Sequence, residues 1–209
     1  MRKETKENSV NLVEALGEGQ WALRWDFKPK LNEQGEETGV NWYEEEVFLH
    51  IPQIDEIREA ITNWQNRQTD AAILQGFRWN GMKVWLSMEN QFNYKSVFDL
   101  ATMNEQAISV WDNEHPDLAG KEYDYEDQTG DDGMKVFVPV ATGRPHEVLP
   151  VIFKFGTDEE PIYHEFSTLS ELTDFYTACL SYIQGCYQSG WTKKDSFDYT
   201  IYEELLKGM

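Results

Sequence analysis

The front of the chain alternates between apolar and polar positions. Trp21, Leu23, Trp25 and Phe27 alternate with Ala22, Arg24, Asp26 and Lys28, the period of two that buries one face of a strand. Pro29 is expected to end that strand. The polar, glycine-bearing run Asn32 to Gly39 reads as a long hairpin loop. Residues 40–50, with Trp42, Tyr43, Val47, Phe48 and Leu49, read as the return strand. Residues 1–19 are polar and carry Gly17 and Gly19, so they read as a loosely held leader with a helical turn around Leu12 to Leu16.

After Pro52 the period changes. Ile54, Ile57, Ile61 and Trp64 form one apolar helical stripe, which weakens near Gln68 and restarts as a short turn capped at Thr69-Asp70. Phe77 to Val84 is a two-residue hairpin with Asn80-Gly81 at its tip, the pair that tolerates the positive φ angles of a type I′ turn. Its register places Phe77, Trp79, Met82 and Val84 on one face and Arg78 and Lys83 on the other. Ser87 follows as an N-cap, with Tyr94, Val97, Phe98 and Ala101 as the stripe of the next helix.

From Asn104 to Gly133 the chain turns polar and acidic, and its densest part, Glu122 to Gly133, reads as a loop or insertion. Met134 to Val140 is a candidate strand limited by Pro139. A second hairpin follows, with Val151, Phe153 and Phe155 on the way out and Ile162, His164 and Phe166 on the way back. Thr168 and Glu171 fit a capping box. Behind them Leu172, Phe175, Tyr176, Cys179, Ile183, Cys186 and Tyr187 keep one apolar helical face until Gly190. Phe197, Ile201 and Leu205 mark a short last helix.

These patterns predict an α+β fold of antiparallel β-hairpins packed against α-helices, with the hairpin–helix unit occurring twice, at about 76–103 and 150–190. The expected division is a polar leader and N-terminal hairpin over 1–50, a main α+β domain over 51–195 carrying an acidic insertion at about 104–147, and a C-terminal helix over 196–209.

The formal net charge of -20 among 209 residues disfavours nucleic acid and anionic membrane as partners, since both repel a strongly negative surface. No stretch approaches the roughly 20 apolar residues needed to span a bilayer. The start, Met1 to Glu7, has positive charges with no apolar run behind them and does not read as a signal peptide. Cys179 and Cys186, about 10 Å apart on one helix, are too far apart for a disulfide and read as reduced core residues, which fits a cytoplasmic or virion location and not a disulfide-stapled secreted fold.

Candidate chemistry is sparse. His50, His115, His146 and His164 show no metal-ligand spacing, and His164, on the inward face of a strand, reads as structural. Asp124, Asp127, Asp131 and Asp132 do not follow the spacing of a calcium loop. Phosphate-binding glycine loops and a nucleophile elbow are absent from the sequence, and Cys179 sits mid-helix on a buried stripe. The expectation is therefore no catalytic residue, no cofactor and no metal site. Among the eight tryptophans, Trp21, Trp25, Trp64 and Trp79 fall on the apolar side of their elements. Trp42, Trp85 and Trp111 do not, which makes them candidates for an interaction surface.

The run Ile73 to Ser87, followed by Glu89 to Tyr94, resembles a domain of unknown function found in phage and prophage tail-region proteins, in versions from gut Bacteroidetes prophages. A helix running into a Gly76-Phe77 hairpin and then a second helix is similar to that domain. So are the later hairpin and long helix with Phe175-Tyr176 and Gly190-Trp191. The resemblance covers about 54–103 and 148–195, and the hairpin of Trp21 to Phe27 is similar to the leading segment of the Bacteroidetes versions. The acidic insertion departs from the shorter members. The resemblance implies a non-enzymatic tail-associated protein, a structural component or an assembly factor, whose partners are other phage tail proteins or further copies of itself. Two other classes stay open from the residues: an acidic decoy that mimics DNA to occupy a host DNA-binding protein, suggested by the charge, and a metal-assisted hydrolase using the histidines and acidic loop.

Overall fold

Antiparallel hairpins packed against helices, with the hairpin–helix unit present twice, make up the computed structural model of the chain, which describes residues 1–6, 10–131 and 133–209. Glu7 of the basic start and Asp132 of the acidic run lie outside the described residues. Two compact units divide the chain, one of 1–71 and 187–209 and one of 72–186. Their boundaries differ from the expected ones at 50 and 195 because the N-terminal strands share a core with the first helix and with the chain's end.

In the first unit, β1 (Arg2–Thr5), β2 (Val13–Gly17), β3 (Gln20–Leu31) and β4 (Glu37–Phe48) form an antiparallel sheet of order β1-β4-β3-β2. The supposed leader is thus two strands. β2 turns into β3 through Gly17, Glu18 and Gly19, and β1 has no apolar face of its own. It is held on β4 by ion pairs from Arg2 to Glu44 and from Lys3 to Glu45. Leu23 and Trp25 are buried against Ile57 and Ile61 of α1 (Ile54–Gln75), as the stripe predicts. The register shifts between Trp25 and Lys28, and Asp26 has φ 56°, so this bulge turns Phe27 away from that core to stack on Tyr43 at 5.5 Å. Pro29 does not end β3. It pairs opposite Asn41 where β2 no longer covers the strand's other side, a position that needs no N–H. α1 runs unbroken through Thr69, whose hydroxyl donates to Gln65 O at 3.1 Å.

α4 (Thr200–Lys207) closes this unit with a face other than the expected one. Tyr202 is the buried side chain, its hydroxyl donating to Arg24 O at 2.9 Å, while Ile201 and Leu205 stay exposed. Arg24 is buried between two acids. It reaches Glu45 at 2.8 Å and also Glu14, with its guanidinium 5.6 Å from the Tyr43 ring centre. Burial works against the charge on Glu45, but hydrogen bonds from Lys3 and Arg24 outweigh it and hold this carboxyl below its ordinary range.

In the second unit, β5 (Phe77–Trp79) and β6 (Met82–Val84) pair in the register expected, Phe77 with Val84 and Trp79 with Met82, with Asn80 at φ 48° and Gly81 at φ 80°. α2 (Met88–Glu114) starts at Ser87, whose hydroxyl accepts from Asn90 N at 3.2 Å. It continues through the first part of the supposed insertion, since Ile108 is buried one further heptad beyond Tyr94 and Ala101. β9 (Val151–Gly156), β10 (Pro161–Phe166) and α3 (Leu169–Asp195) form the second hairpin–helix unit, and α3 passes Gly190 without a break. Thr168 accepts from Glu171 N at 3.3 Å, while the Glu171 carboxylate meets His164 Nε2 at 2.9 Å. The core is aromatic: the Trp79 ring lies 5.2–6.3 Å from Phe155, Phe166 and Phe175, and Tyr94 lies 4.9 Å from Phe153. The acidic run is not a loop throughout. β7 (Tyr123–Thr129) and β8 (Lys135–Ala141) make an antiparallel ribbon, with Pro139 inside β8.

Candidate interaction surface

The three tryptophans singled out by pattern do not converge. Trp42 is half-buried on β4: its indole N–H donates to Glu4 Oε1 at 3.0 Å, and the Arg2 guanidinium lies 5.1 Å from its ring centre. Trp111, near the end of α2, is also half-buried and stacks on His115 at 4.5 Å. Trp85 is exposed at the entry to α2. Its N–H donates to Gly156 O, and Lys83 Nζ lies 4.7 Å from its ring centre. It borders a shallow depression of about 590 Å³ with Asn90, Lys154 and Thr157. Within the second unit, α2 alone separates Met88 from Trp111 by about 35 Å at 1.5 Å per residue. No single patch gathers these rings.

Each histidine has a neighbour. His50 meets Glu56 at 2.9 Å, His146 meets Glu122 at 3.0 Å, His164 meets Glu171, and His115 meets Trp111 O at 3.0 Å. Among the described residues no group of three or more His, Cys, Asp or Glu side chains could hold a metal ion. Arg144 makes two bonds to Asp112, at 2.9 and 3.1 Å, and one to Glu147. The Arg144 bond holds the Asp112 carboxyl below its usual range, and the guanidinium is locked in its charged form. This network ties the segment after β8 to α2. Burial pushes the Cys179 thiol up to about 12, which disfavours its thiolate at neutral pH. No described helix is long and apolar enough to cross a membrane.

What sequence reasoning missed is a second apolar stripe on α2. Met88, Phe92, Leu100, Met103 and Val110 recur at intervals of four, eight, three and seven residues, all exposed. At 100° per residue they lie on the side opposite Tyr94, Ala101 and Ile108, which enter the core. Met88 and Phe92 are 83% and 74% exposed, and with Leu100, Met103 and Val110 they make a stripe rather than scattered single residues. Phe92 stands at the mouth of an apolar pocket of about 260 Å³ between α2 and α3, floored by Leu86, Tyr94 and Cys179 and flanked by Leu180. A searchable signal existed, since Met88, Phe92 and Leu100 are apolar at i, i+4 and i+12. It was masked by the stronger buried stripe on the opposite side.

The β7–β8 ribbon is the second exposed feature. Every residue of β7 is exposed, including Tyr123 and Tyr125, and β8 adds Val136 and Phe137. No family model, curated protein or solved structure matches the chain.

Proposed function

We propose that this chain is a non-enzymatic phage or prophage tail-associated protein, a structural component or assembly factor that acts through protein–protein contacts. The observation that carries the contact role is the outward apolar stripe of α2, from Met88 to Val110, running past the apolar pocket beside Phe92. A chain of net charge -20 stays soluble without help, so an apolar stripe on a helix whose other face already fills a core is best accounted for by a partner. The tail setting rests on the resemblance of residues 54–103 and 148–195. Trp85, at the entry to the same helix, extends the contact surface.

The test is affinity capture of the tagged chain from phage-producing cells, with captured proteins identified by mass spectrometry, beside a Phe92→Asp/Met103→Asp variant. The reading expects tail proteins encoded near this chain to be enriched with the parent and lost with the variant. A parent that enriches none of them, and stays monomeric, counts decisively against it.

A further inference from the structure

The β7–β8 ribbon has a more specific design than an exposed hairpin needs. Its register places Tyr123, Tyr125 and Asp127 with Ala141, Pro139 and Phe137 on one face. Asp124 and Glu126 share the other face with Val140 and Val138. One face is therefore aromatic, and the other is a row of carboxylates beside a row of valines. Asp127 meets Lys135 diagonally across the ribbon at 3.5 Å, but neither Asp124 nor Glu126 forms an ion pair among the described residues.

The two strands form a sheet by themselves, so each has an edge with no strand beside it. The two edges are not equivalent. β8 carries Pro139 at its middle, which removes one N–H from that strand. β7 has no proline, and the Tyr125 N–H is occupied by the Asp124 carboxylate at 2.9 Å. A cation that draws Asp124 away frees this N–H for a new strand. Pairing two copies through β7 would instead set Asp124 and Glu126 against the same carboxylates of the second copy, in chains that each carry a net charge of -20.

We propose that the edge of β7 with no strand beside it receives an extended partner segment in which lysine or arginine alternates with apolar residues, the basic side chain drawing Asp124 off the Tyr125 N–H. The basic side chains would lie beside Asp124 and Glu126, and the apolar ones beside Tyr123 and Tyr125. Main-chain hydrogen bonds supply the attachment, and the alternation of the two faces supplies the register. This inference deepens the contact-protein reading, on which it rests, by giving one partner segment its chemistry.

The test uses the full chain and a fluorescent synthetic octapeptide alternating lysine with valine. A peptide of the same composition with its lysines in one block serves as a control. Anisotropy at low salt should show saturable binding of the alternating peptide, about tenfold weaker binding of the block peptide, and about tenfold weaker binding by Asp124→Lys/Glu126→Lys. Because both substituted side chains are exposed, the variant keeps its fold, which circular dichroism checks. Binding should also weaken as salt rises. Equal affinity for the two peptides would reduce the effect to net charge and overturn the proposal, as would absence of saturable binding or an unaffected variant. Self-association by light scattering that the double variant changes would assign the edge to a second copy and overturn it too. Peptide failure with tail proteins still captured removes this edge alone. Peptide binding with no tail protein captured removes the tail reading alone.

Discussion

Two glycines, one before the β5–β6 hairpin and one in its turn, separate backbone strain from steric clash. Gly76 ends α1 with φ 64°, and Gly81 sits in the turn with φ 80°. An alanine at either site forces a side chain into the left-handed region, at about 1–2 kcal/mol. Around Gly81 nothing lies within 4 Å of the added Cβ, so that cost stands alone. At Gly76 the added Cβ falls 1.9 Å from the carbonyl oxygen of Val84, whose side chain is fully buried. The backbone of β6 must then move against the core, an overpacking that adds about 1–3 kcal/mol. The expectation is a loss of about 1.5 kcal/mol for Gly81→Ala and about 3.5 kcal/mol for Gly76→Ala. At about 2–4 °C per kcal/mol for a chain of this length, the Tm falls by roughly 5 °C and roughly 10 °C respectively. Thermal melts by circular dichroism, with urea titrations followed by tryptophan fluorescence, measure both. Equal losses would refute the reasoning, because the difference between the variants is the clash itself.

Other expectations follow from the buried charges and thiols. Arg24→Met should cost about 3 kcal/mol, at the low end for breaking a buried pair, because Lys3 still bonds Glu45; equilibrium unfolding measures it. The Arg24 hydrogen bond is the main cause holding the Glu14 carboxyl below its ordinary value of 4.5, and Glu45 is held low as well. A group whose folded pKa is depressed adds stability above its unfolded pKa and loses it as pH falls through the folded value. Urea midpoints should thus stay level from pH 7 to about 5 and drop below about pH 4.5, and the drop should shrink in Arg24→Met. With a thiol reagent at pH 8, half-buried Cys186 should react in the native protein, and buried Cys179 only after unfolding.

The parts of the fold legible in the sequence are those whose local chemistry and burial agree. Phe77 to Val84 has its turn pair at the centre of its apolar alternation, and Ser87 stands one position before its helix. The parts that were not legible depend on a partner strand. β1 contains Arg2 and Lys3 and no apolar face, and what holds it is its ladder to β4 and the ion pairs to Glu44 and Glu45. β7 looks like a solvated loop by composition, although Tyr123 and Tyr125 alternate with Asp124 and Glu126 as a strand does. Both prolines expected to limit strands lie inside them, at places where a neighbouring strand is missing. In α4, spacing by four picked Ile201 and Leu205, whereas the hydrogen bond of Tyr202 to Arg24 O fixes which face turns inward. Of the candidate surface, Trp85 alone is exposed, and its ring still carries Lys83 on one face and a bond to Gly156 O. Trp42 is covered by Arg2 and Glu4, residues of a strand with no apolar pattern to mark it.

Light scattering coupled to size-exclusion chromatography most directly tests the claim that this chain works through protein contacts, with the purified protein run alone and mixed with each tail protein encoded beside it. A protein that works through such contacts gives a mass well above the 24.5 kDa of one chain, as a closed oligomer or a defined complex, reduced by Phe92→Asp/Met103→Asp. A single 24.5 kDa species in every mixture would contradict it.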